Sequence, residues 1–274
     1  MEVKGIDVSS YQGGINWEAV KSAGYSFAML KLGNGSDLKI QDDKLFAYNV
    51  KECDRLGIDW GAYLYSYALD IEDAKSEAQH IIRVLKGLTP SYPIALDMED
   101  ADKYKENNGF PSNGMLVDIC KTVLSTIEDA GYYACLYASK SWLANQLCNA
   151  ELDRYDKWVA QWHDECTYKG SYGMWQYTDS ESVNGIGGHV DADVAYKDYP
   201  SIMKFKGING FQSISAKDYP TETTYQTYTV RKDDSLWAIS QKLLGAGSKY
   251  PEIKSLNSLA SDTIYPGQVL KIPN

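Results

Sequence analysis

The acidic pair Asp97 and Glu99 closes an apolar run that begins at Pro93 (PIALDMED). Such a run is typical of a buried parallel strand as it leaves the core. Residues two apart on a strand point to one face, so the two carboxyl groups should project together, with Cα atoms about 6.5 Å apart. Their mutual repulsion predicts a raised pKa for one of them. Glycoside cleavage requires a protonated acid beside an ionised partner, whereas an isolated pair of this kind is more often a solvated strand end or a helix cap.

Two further acidic segments favour the catalytic interpretation. Asp7 ends an apolar segment near the N-terminus (GIDVSS), and Asp191 and Asp193 lie in VDADV, the predicted last strand of the same domain. The first and last strands of a closed barrel are neighbours. We therefore expect these carboxylates to converge at one mouth of the barrel.

Aromatic side chains gather at other predicted strand ends. The chain has 22 Tyr and 7 Trp, and aromatic rings suit the apolar faces of sugars while their polar tips hydrogen-bond hydroxyl groups. Acidic and aromatic groups together indicate a carbohydrate site, although aromatic residues more often fill cores. The candidate substrate-binding residues are Tyr63, Tyr65, Tyr137, Trp162, Trp175, Gln176 and Asp193.

Short apolar segments alternate with amphipathic segments of helical length between residues 1 and 206. This alternation predicts parallel strands with crossover helices, closed into a (β/α) barrel, with a doubly wound open sheet as the alternative. Helices are predicted at 42–56, 71–85 and 114–130, the last with Ser112 as its N-cap. The predicted strands are 5–9, 27–32, 60–65, 93–98, 133–137, 157–161, 173–176 and the VDADV segment.

The rest of the chain predicts a linker and a second, smaller domain. Residues 207–224 are rich in Gly, Ser, Thr and Asp, as linkers are. Residues 225–274 follow a β-α-α-β pattern in which Asp234 is the predicted cap of the first helix. This part carries six basic and four acidic residues, although the whole chain has a net charge of −10. The difference in charge supports a division into two domains.

Composition excludes several classes of protein. The net charge of −10 argues against nucleic-acid binding, and no apolar run is long enough for a membrane span. The N-terminus lacks the basic and apolar pattern of a signal peptide, and five cysteines without a CxxC pair suit free thiols in a reducing cytoplasm. With three histidines, no HExxH and no GxSxG, a metal-dependent or serine hydrolase is disfavoured, and we expect neither metal nor cofactor.

Four ordered segments resemble glycoside hydrolase family 25: GIDVSSYQG, ALDMED, the WQY triplet and VDADV. The resemblance covers most of residues 3–206 and implies an N-acetylmuramidase on a flattened (β/α) barrel. It implies that Glu99 is the general acid and that Asp97 is its partner, placed to assist or stabilise the reacting sugar. It implies supporting roles for Asp7 and Asp191.

The resemblance to family 25 is incomplete at one position, and one matching position carries less weight than its neighbour. Leu64 stands where the family usually has His, so no polar role is expected there. Asp193 falls where Asn or Asp is common, and it ranks below Asp191 as a site residue.

The C-terminal pattern resembles a LysM module, which implies binding of glycans that contain N-acetylglucosamine. The resemblance rests on YTV, DSLWAI and IYPGQVLKIP, and Asp233 replaces the usual Gly before Asp-Ser-Leu. A small domain that only stabilises or solubilises its neighbour is the alternative.

The sequence therefore predicts a peptidoglycan hydrolase that cuts the β-1,4 bond between N-acetylmuramic acid and N-acetylglucosamine. We expect a phage endolysin, made in the cytoplasm of the host bacterium and acting on the cell wall. Three alternatives stay open: a bacterial autolysin of the same activity, a chitinase-like glycosidase, and a non-catalytic glycan-binding protein. Ala95 disfavours the chitinase, because the chitinase pattern needs an acid at that position.

Overall fold

The computed structural model describes residues 2–213, 225–232, 234–257, 259 and 261–273. The chain divides into two compact units, Met1–Ala216 and Lys217–Asn274.

Eight strands close into a barrel in the first unit, each bonded to the next in sequence and the eighth bonded to the first. The predicted barrel is thus confirmed. The strands are β1 (Val3–Val8), β2 (Phe27–Asn34), β3 (Asp59–Tyr65), β4 (Ile94–Asp97), β5 (Ala134–Ser139), β6 (Asp156–Ala160), β7 (Met174–Glu181) and β8 (Val190–Ala195).

The direction of the last strand differs from the prediction. Strands β1 to β7 run parallel to their sequence neighbours, whereas β8 runs antiparallel to both β7 and β1. Only residues 182–189 connect β7 to β8, and they contain no helix. A parallel crossover needs a dozen residues or more, so the chain returns as a hairpin instead. The first residues of β8 therefore lie at the mouth where the parallel strands end.

Seven helices belong to the described part of the first unit. Helix α3 (Ile71–Leu85) has the predicted bounds. Helix α5 (Asn113–Asp129) begins one residue earlier than predicted, and the Ser112 hydroxyl accepts a hydrogen bond from the Met115 amide at 3.2 Å. Helix α2 (Phe46–Leu56) begins after Asp42, whose carboxylate is held by His80 and Arg83. The bounds are α1 (Trp17–Ser22), α2 (Phe46–Leu56), α3 (Ile71–Leu85), α4 (Tyr104–Asn107), α5 (Asn113–Asp129), α6 (Lys140–Ala144) and α7 (Tyr199–Lys206).

The barrel strands separate two apolar layers, because alternate residues of a strand face opposite sides. The inner layer includes Met29, Trp158 and Met174, and the outer layer packs residues such as Leu64 against the helices. Leu64 is fully buried in that outer layer. It therefore lies on the face of β3 opposite to the barrel interior.

The predicted linker began too early. Asn209 is fully buried, and its side-chain amide donates to the carbonyl oxygens of Pro90 (2.9 Å) and Tyr92 (3.0 Å). Its side-chain oxygen accepts a hydrogen bond from the Tyr133 amide at 2.7 Å. The short polar side chain of Asn209, together with the partly buried Ile208 and Phe211, ties this segment to the barrel. Residues 214–224 of the predicted linker lie outside the described residues.

Replacing Asn209 with Ala should destabilise the barrel by about 2–4 kcal/mol. The change leaves three backbone groups without their partner, and Asn209 also has a positive φ of 56° that suits Asn better than Ala. Urea unfolding followed by tryptophan fluorescence measures the loss, because six of the seven Trp residues belong to the barrel. Asn108→Ala, at an exposed position, is the control. Equal stability of the two variants would show that 207–211 is a linker after all.

The second unit has the predicted β-α-α-β order. Its elements are β9 (Tyr225–Thr229), α8 (Leu236–Leu243), α9 (Tyr250–Leu256) and β10 (Val269–Pro273), and the two strands pair antiparallel around a small apolar core. The cap of α8 differs from the prediction. The Ser235 hydroxyl accepts from the Ala238 amide, whereas the Asp234 carboxylate accepts from the Arg231 amide and the Tyr228 hydroxyl. Asp233 lies outside the described residues.

All five cysteines are free thiols, three of them buried. Across the described residues, no helix is both long and apolar enough to cross a lipid bilayer.

Candidate active site

A cavity of about 330 Å³ opens at the barrel mouth where the parallel strands end. The four predicted carboxylates, Asp7, Asp97, Glu99 and Asp191, all line it. Strand β1 brings Asp7, β4 ends at Asp97, Glu99 follows two residues later, and Asp191 is the second residue of β8. The structure thus brings together acids from the two ends and the middle of the barrel sequence.

Four of the predicted substrate-binding residues line the same cavity: Tyr63, Tyr65, Tyr137 and Gln176. Tyr63 and Tyr65 alternate with Leu64 along β3 and so face the barrel interior. The Tyr65 hydroxyl donates to Asp102 at 3.2 Å, which fixes the ring at the edge of the cavity.

The two carboxyl groups of the predicted catalytic pair are buried to different degrees. Asp97 is only 4% exposed, and Glu99 is half-buried. Burial raises the pKa of Asp97 well above its usual range, and the neighbouring charge of Glu99 raises it further. Burial also raises the pKa of Glu99, whereas the ammonium groups of Lys105 and Lys31 lower it. Glu99 can therefore hold a proton and still be reached from the cavity.

One oxygen of Asp97 stands out. Among the described residues, Asp97 Oδ1 is buried without a hydrogen-bond partner. An acceptor left unpaired in a buried position is costly unless something else bonds to it. Because the residue lines the cavity, an N–H group of a bound ligand is a candidate partner for this oxygen.

A hydrogen-bonded chain fixes Asp7. The Gln176 amide donates to Asp7 Oδ2 at 2.8 Å, and the Gln176 oxygen accepts from the Tyr137 hydroxyl (3.0 Å) and the Trp162 indole (3.1 Å). Burial raises the pKa of Asp7, and the charges of Asp193 and Asp191 add to that rise. The chain joins β1, β5 and β7 across the barrel mouth.

Asp193 does not reach the cavity. It pairs with Gly5 of β1, two positions below the Asp7–Asp191 pair, and its side chain is fully buried. Its Oδ1 accepts from the Trp158 indole at 2.7 Å. Asp193 thus lies under the cavity floor, where it supports Trp158, and a direct contact with substrate stays a prediction.

The two remaining predicted binding residues lie outside the cavity wall. Trp175 is 9% exposed, and its indole donates to the Gln161 carbonyl oxygen at 2.8 Å. Trp162 is 60% exposed, and its indole donates to the Gln176 side-chain oxygen at 3.1 Å. Trp175 has a packing role, and Trp162 flanks the mouth.

Sequence reasoning missed several residues of the site. Lys31 lines the cavity with its Nζ 5.1 Å from the centre of the Tyr65 ring, and the other missed wall residues are Ser9, Tyr11, Gln12 and Trp158. Lys31 had a usable signal, because it is the one charged residue in the apolar strand FAMLKLGN. Within the described ranges, no group of His, Cys, Asp and Glu residues has the arrangement of a metal site.

Replacing Asp191 with Asn should stabilise the protein at pH 7 and not at pH 4. Burial, and then the charge of Asp179, raises the pKa of Asp191 to about 6, against about 3.9 in an unfolded chain. The unfolded state thus loses its proton first, and ionised Asp191 costs stability progressively from about pH 4 to pH 6 and fully above. Because the side chain is partly exposed, we expect a gain of about 1–2 kcal/mol at neutral pH.

Thermal unfolding at the two pH values measures this effect. The exposed Asp118→Asn is the control and should change the unfolding temperature little at either pH. An Asp191→Asn gain of the same size at pH 4 and pH 7 would contradict the assigned pKa.

A barrel with a protonatable acid, a buried partner carboxylate and aromatic walls at the ends of its strands has the construction of a glycosidase. Residues 6–186 match glycosyl hydrolases family 25, and residues 228–273 match the LysM domain. Since the first match extends over more than half of the chain, the chain belongs to glycosyl hydrolases family 25.

Named relatives agree with this membership. The chain is 31% identical to lysozyme M1 of Streptomyces globisporus, over 69% of this chain and 66% of the relative. It is 28% identical to the autolytic lysozyme of Clostridium acetobutylicum, over 70% of this chain and 55% of the relative. The modular autolysin LytC of Streptococcus pneumoniae, solved with a synthetic peptidoglycan ligand, is 32% identical with a TM-score of 0.63, over 71% of this chain and 47% of that chain. The match thus spans about half to two thirds of each of these relatives.

Proposed function

We propose that this protein is a lysozyme that cleaves the β-1,4 bond between N-acetylmuramic acid and N-acetylglucosamine in bacterial peptidoglycan. The observation that carries the proposal is the meeting of Asp7, Asp97, Glu99 and Asp191 in one cavity beside aromatic walls. Family membership and the lysozymes and autolysins among the relatives support the choice of substrate.

In the proposed mechanism Glu99 is the general acid. Its half-buried carboxyl, with a pKa raised by burial, gives its proton to the glycosidic oxygen as the bond from that oxygen to the sugar C1 breaks. The resulting carboxylate then takes a proton from the water that attacks C1. Glu99 thus acts first as acid and then as base.

We assign Asp97 to the acetamido group of the reacting sugar. A carboxylate nucleophile has to come within bonding distance of C1, whereas the Asp97 side chain is buried in the cavity wall and only 4% exposed. Its unpaired Oδ1 suits an acceptor for the acetamido N–H. The acetamido oxygen then forms the bond to C1, and water later breaks it, so that the configuration at C1 is retained.

The C-terminal unit is proposed to hold the same polymer. Its match to the LysM domain supports binding of glycans with N-acetylglucosamine. A module that keeps the enzyme on an insoluble wall raises the effective concentration of scissile bonds around the barrel.

A phage endolysin made in the host cytoplasm remains our proposal for the source of the activity. Five free thiols suit synthesis in a reducing compartment. A bacterial autolysin of the same chemistry is the second candidate. The autolysins among the relatives support it as well as the free thiols support an endolysin.

Digestion of purified peptidoglycan tests the bond assignment. The products are reduced with borohydride, and the new ends are identified by mass spectrometry. N-acetylmuramitol ends are expected. N-acetylglucosaminitol ends would refute the bond assignment and keep a glycosidase, new amino termini would indicate an amidase or peptidase, and wall binding without products would indicate a non-catalytic protein.

A further inference from the structure

Lys105 brings a positive charge into the protein interior directly behind Glu99. The residue lies on α4, after the end of β4, and is 0% exposed. An ammonium group at such depth is costly unless hydrogen bonds and opposite charges compensate it. Its Nζ donates to two backbone carbonyl oxygens, that of Ser66 and that of Glu99, the latter at 2.9 Å.

These two carbonyl groups lie just beyond two neighbouring strands. Strand β3 ends at Tyr65, and the Ser66 amide still donates to the backbone carbonyl oxygen of Asp97 at 3.0 Å. On the other side of β4, the Met98 amide donates to the backbone carbonyl oxygen of Tyr137 at 3.0 Å. Glu99 lies one residue past that last sheet bond. The Lys105 ammonium therefore joins the ends of β3 and β4 where the sheet no longer does.

Hydrogen bonds hold both ends of the segment between Glu99 and Lys105. The Asp100 carboxylate accepts from the backbone amides of Lys105 (2.7 Å) and Glu106 (2.9 Å). Asp100 thus holds the backbone of Lys105, and the side chain of Lys105 holds the backbone of Glu99. A loop built in this way leaves Glu99 little freedom to move along the cavity wall.

The charges around Lys105 fit this arrangement. Burial lowers the pKa of Lys105, and the carboxylates of Glu77, Asp100, Asp97 and Asp102 oppose that change. The ammonium group in turn lowers the pKa of Glu99.

We propose that Lys105 is a positioning residue for cleavage: its side chain fixes the backbone of Glu99 by joining the ends of β3 and β4, and so holds the acid at the scissile oxygen. The inference rests on the proposed role of Glu99. Small displacements of a catalytic group reduce the rate steeply, because the reacting atoms must meet in a narrow geometry.

Lys105→Met tests the proposal, because Met has a similar length without charge or donor. We expect kcat on soluble glycan strands to fall about 10–100-fold with KM within about twofold of wild type. Lys103→Met is the matched control. Lys103 lies on the same loop, but its side chain is 69% exposed and pairs with the exposed Glu106, at 3.3 Å. The control should keep wild-type kcat and KM.

The pH profile of kcat separates positioning from loss of folding. Besides Lys105, the charged groups of Lys31, Asp191, Asp102 and Asp97 act on Glu99, and these four remain in the variant. Loss of the Lys105 charge should move the basic limb of the profile upward. A kcat equal to wild type, or a fall explained by the unfolded fraction with an unmoved profile, would overturn the proposal.

If Lys105→Met does not fold, Asp100→Ala is the variant that tests the proposal. This variant keeps the lysine and releases the amides of its helix, so kcat should fall about 3–10-fold with KM unchanged. Wild-type kcat in Asp100→Ala would then refute the proposed positioning. An inactive wild-type protein would instead refute the proposed function, and the two failures are thus distinguishable.

Discussion

Glu99→Gln should lower kcat on peptidoglycan about 10²–10⁴-fold while KM stays within about twofold of wild type. The amide keeps the shape of the side chain but has no proton to give to the leaving oxygen, and general acid catalysis contributes an effect of this size. Release of reducing ends from soluble glycan strands measures both constants. Glu106→Gln, at an exposed carboxylate whose side chain is 60% exposed, is the matched control and should retain full activity.

A substrate with a better leaving group sharpens the Glu99 test. An aryl glycoside leaves as a weakly basic phenolate and needs little protonation, so Glu99→Gln should lose much less activity on it than on the natural strand. An equal loss on both substrates would show that Glu99 binds or orients the sugar and does not protonate the leaving group.

Asp97→Asn should lower kcat about 10²–10³-fold and at the same time raise the unfolding temperature at pH 7. The neutral amide cannot stabilise the positive charge that develops as the acetamido oxygen bonds to C1. The same change removes a carboxylate whose pKa is raised by burial, so the folded state no longer carries that ionisation penalty at neutral pH. Opposite changes in activity and stability would exclude simple misfolding.

The fate of azide distinguishes the two possible roles of Asp97. If Asp97 were the nucleophile, azide would restore turnover of Asp97→Ala by forming a glycosyl azide of inverted configuration. With the acetamido group as nucleophile, we expect no such rescue, and nuclear magnetic resonance should show retention at C1 in the wild-type products.

The strand that carries the proposed catalytic pair could be predicted from sequence, because one local pattern indicates both the strand and the acids. The run PIALDMED is apolar up to its acids, and the structure ends β4 at Asp97. The same local logic gave the bounds of α3, where the Asp70 carboxylate accepts from the amides of Glu72 and Asp73. Short-range patterns of polarity and capping decide such elements.

The features that could not be predicted depend on contacts between residues far apart in the chain. The direction of β8 follows from the absence of a crossover helix, and it decides that Asp191 lines the cavity while Asp193 lies under the floor. Lys105 follows a loop of ordinary composition, and nothing in its neighbours indicates that its side chain turns inward. Asn209 likewise lies in a segment with the composition of a linker, yet its side chain is as buried as that of a core residue.

The hydrogen bond from Gln176 to Asp7 joins residues that are 169 positions apart. Strand β1 leaves the ribosome first, yet its partner β8 and the amide that orients Asp7 emerge only after most of the barrel has been synthesised. Contacts between such distant parts of a chain form late and slowly, because a large loop must close before they stabilise anything. A nascent chain that stops before β7 has neither Gln176 nor Asp191. We therefore expect a fragment that ends before β7 to be inactive, because cleavage needs the closed barrel.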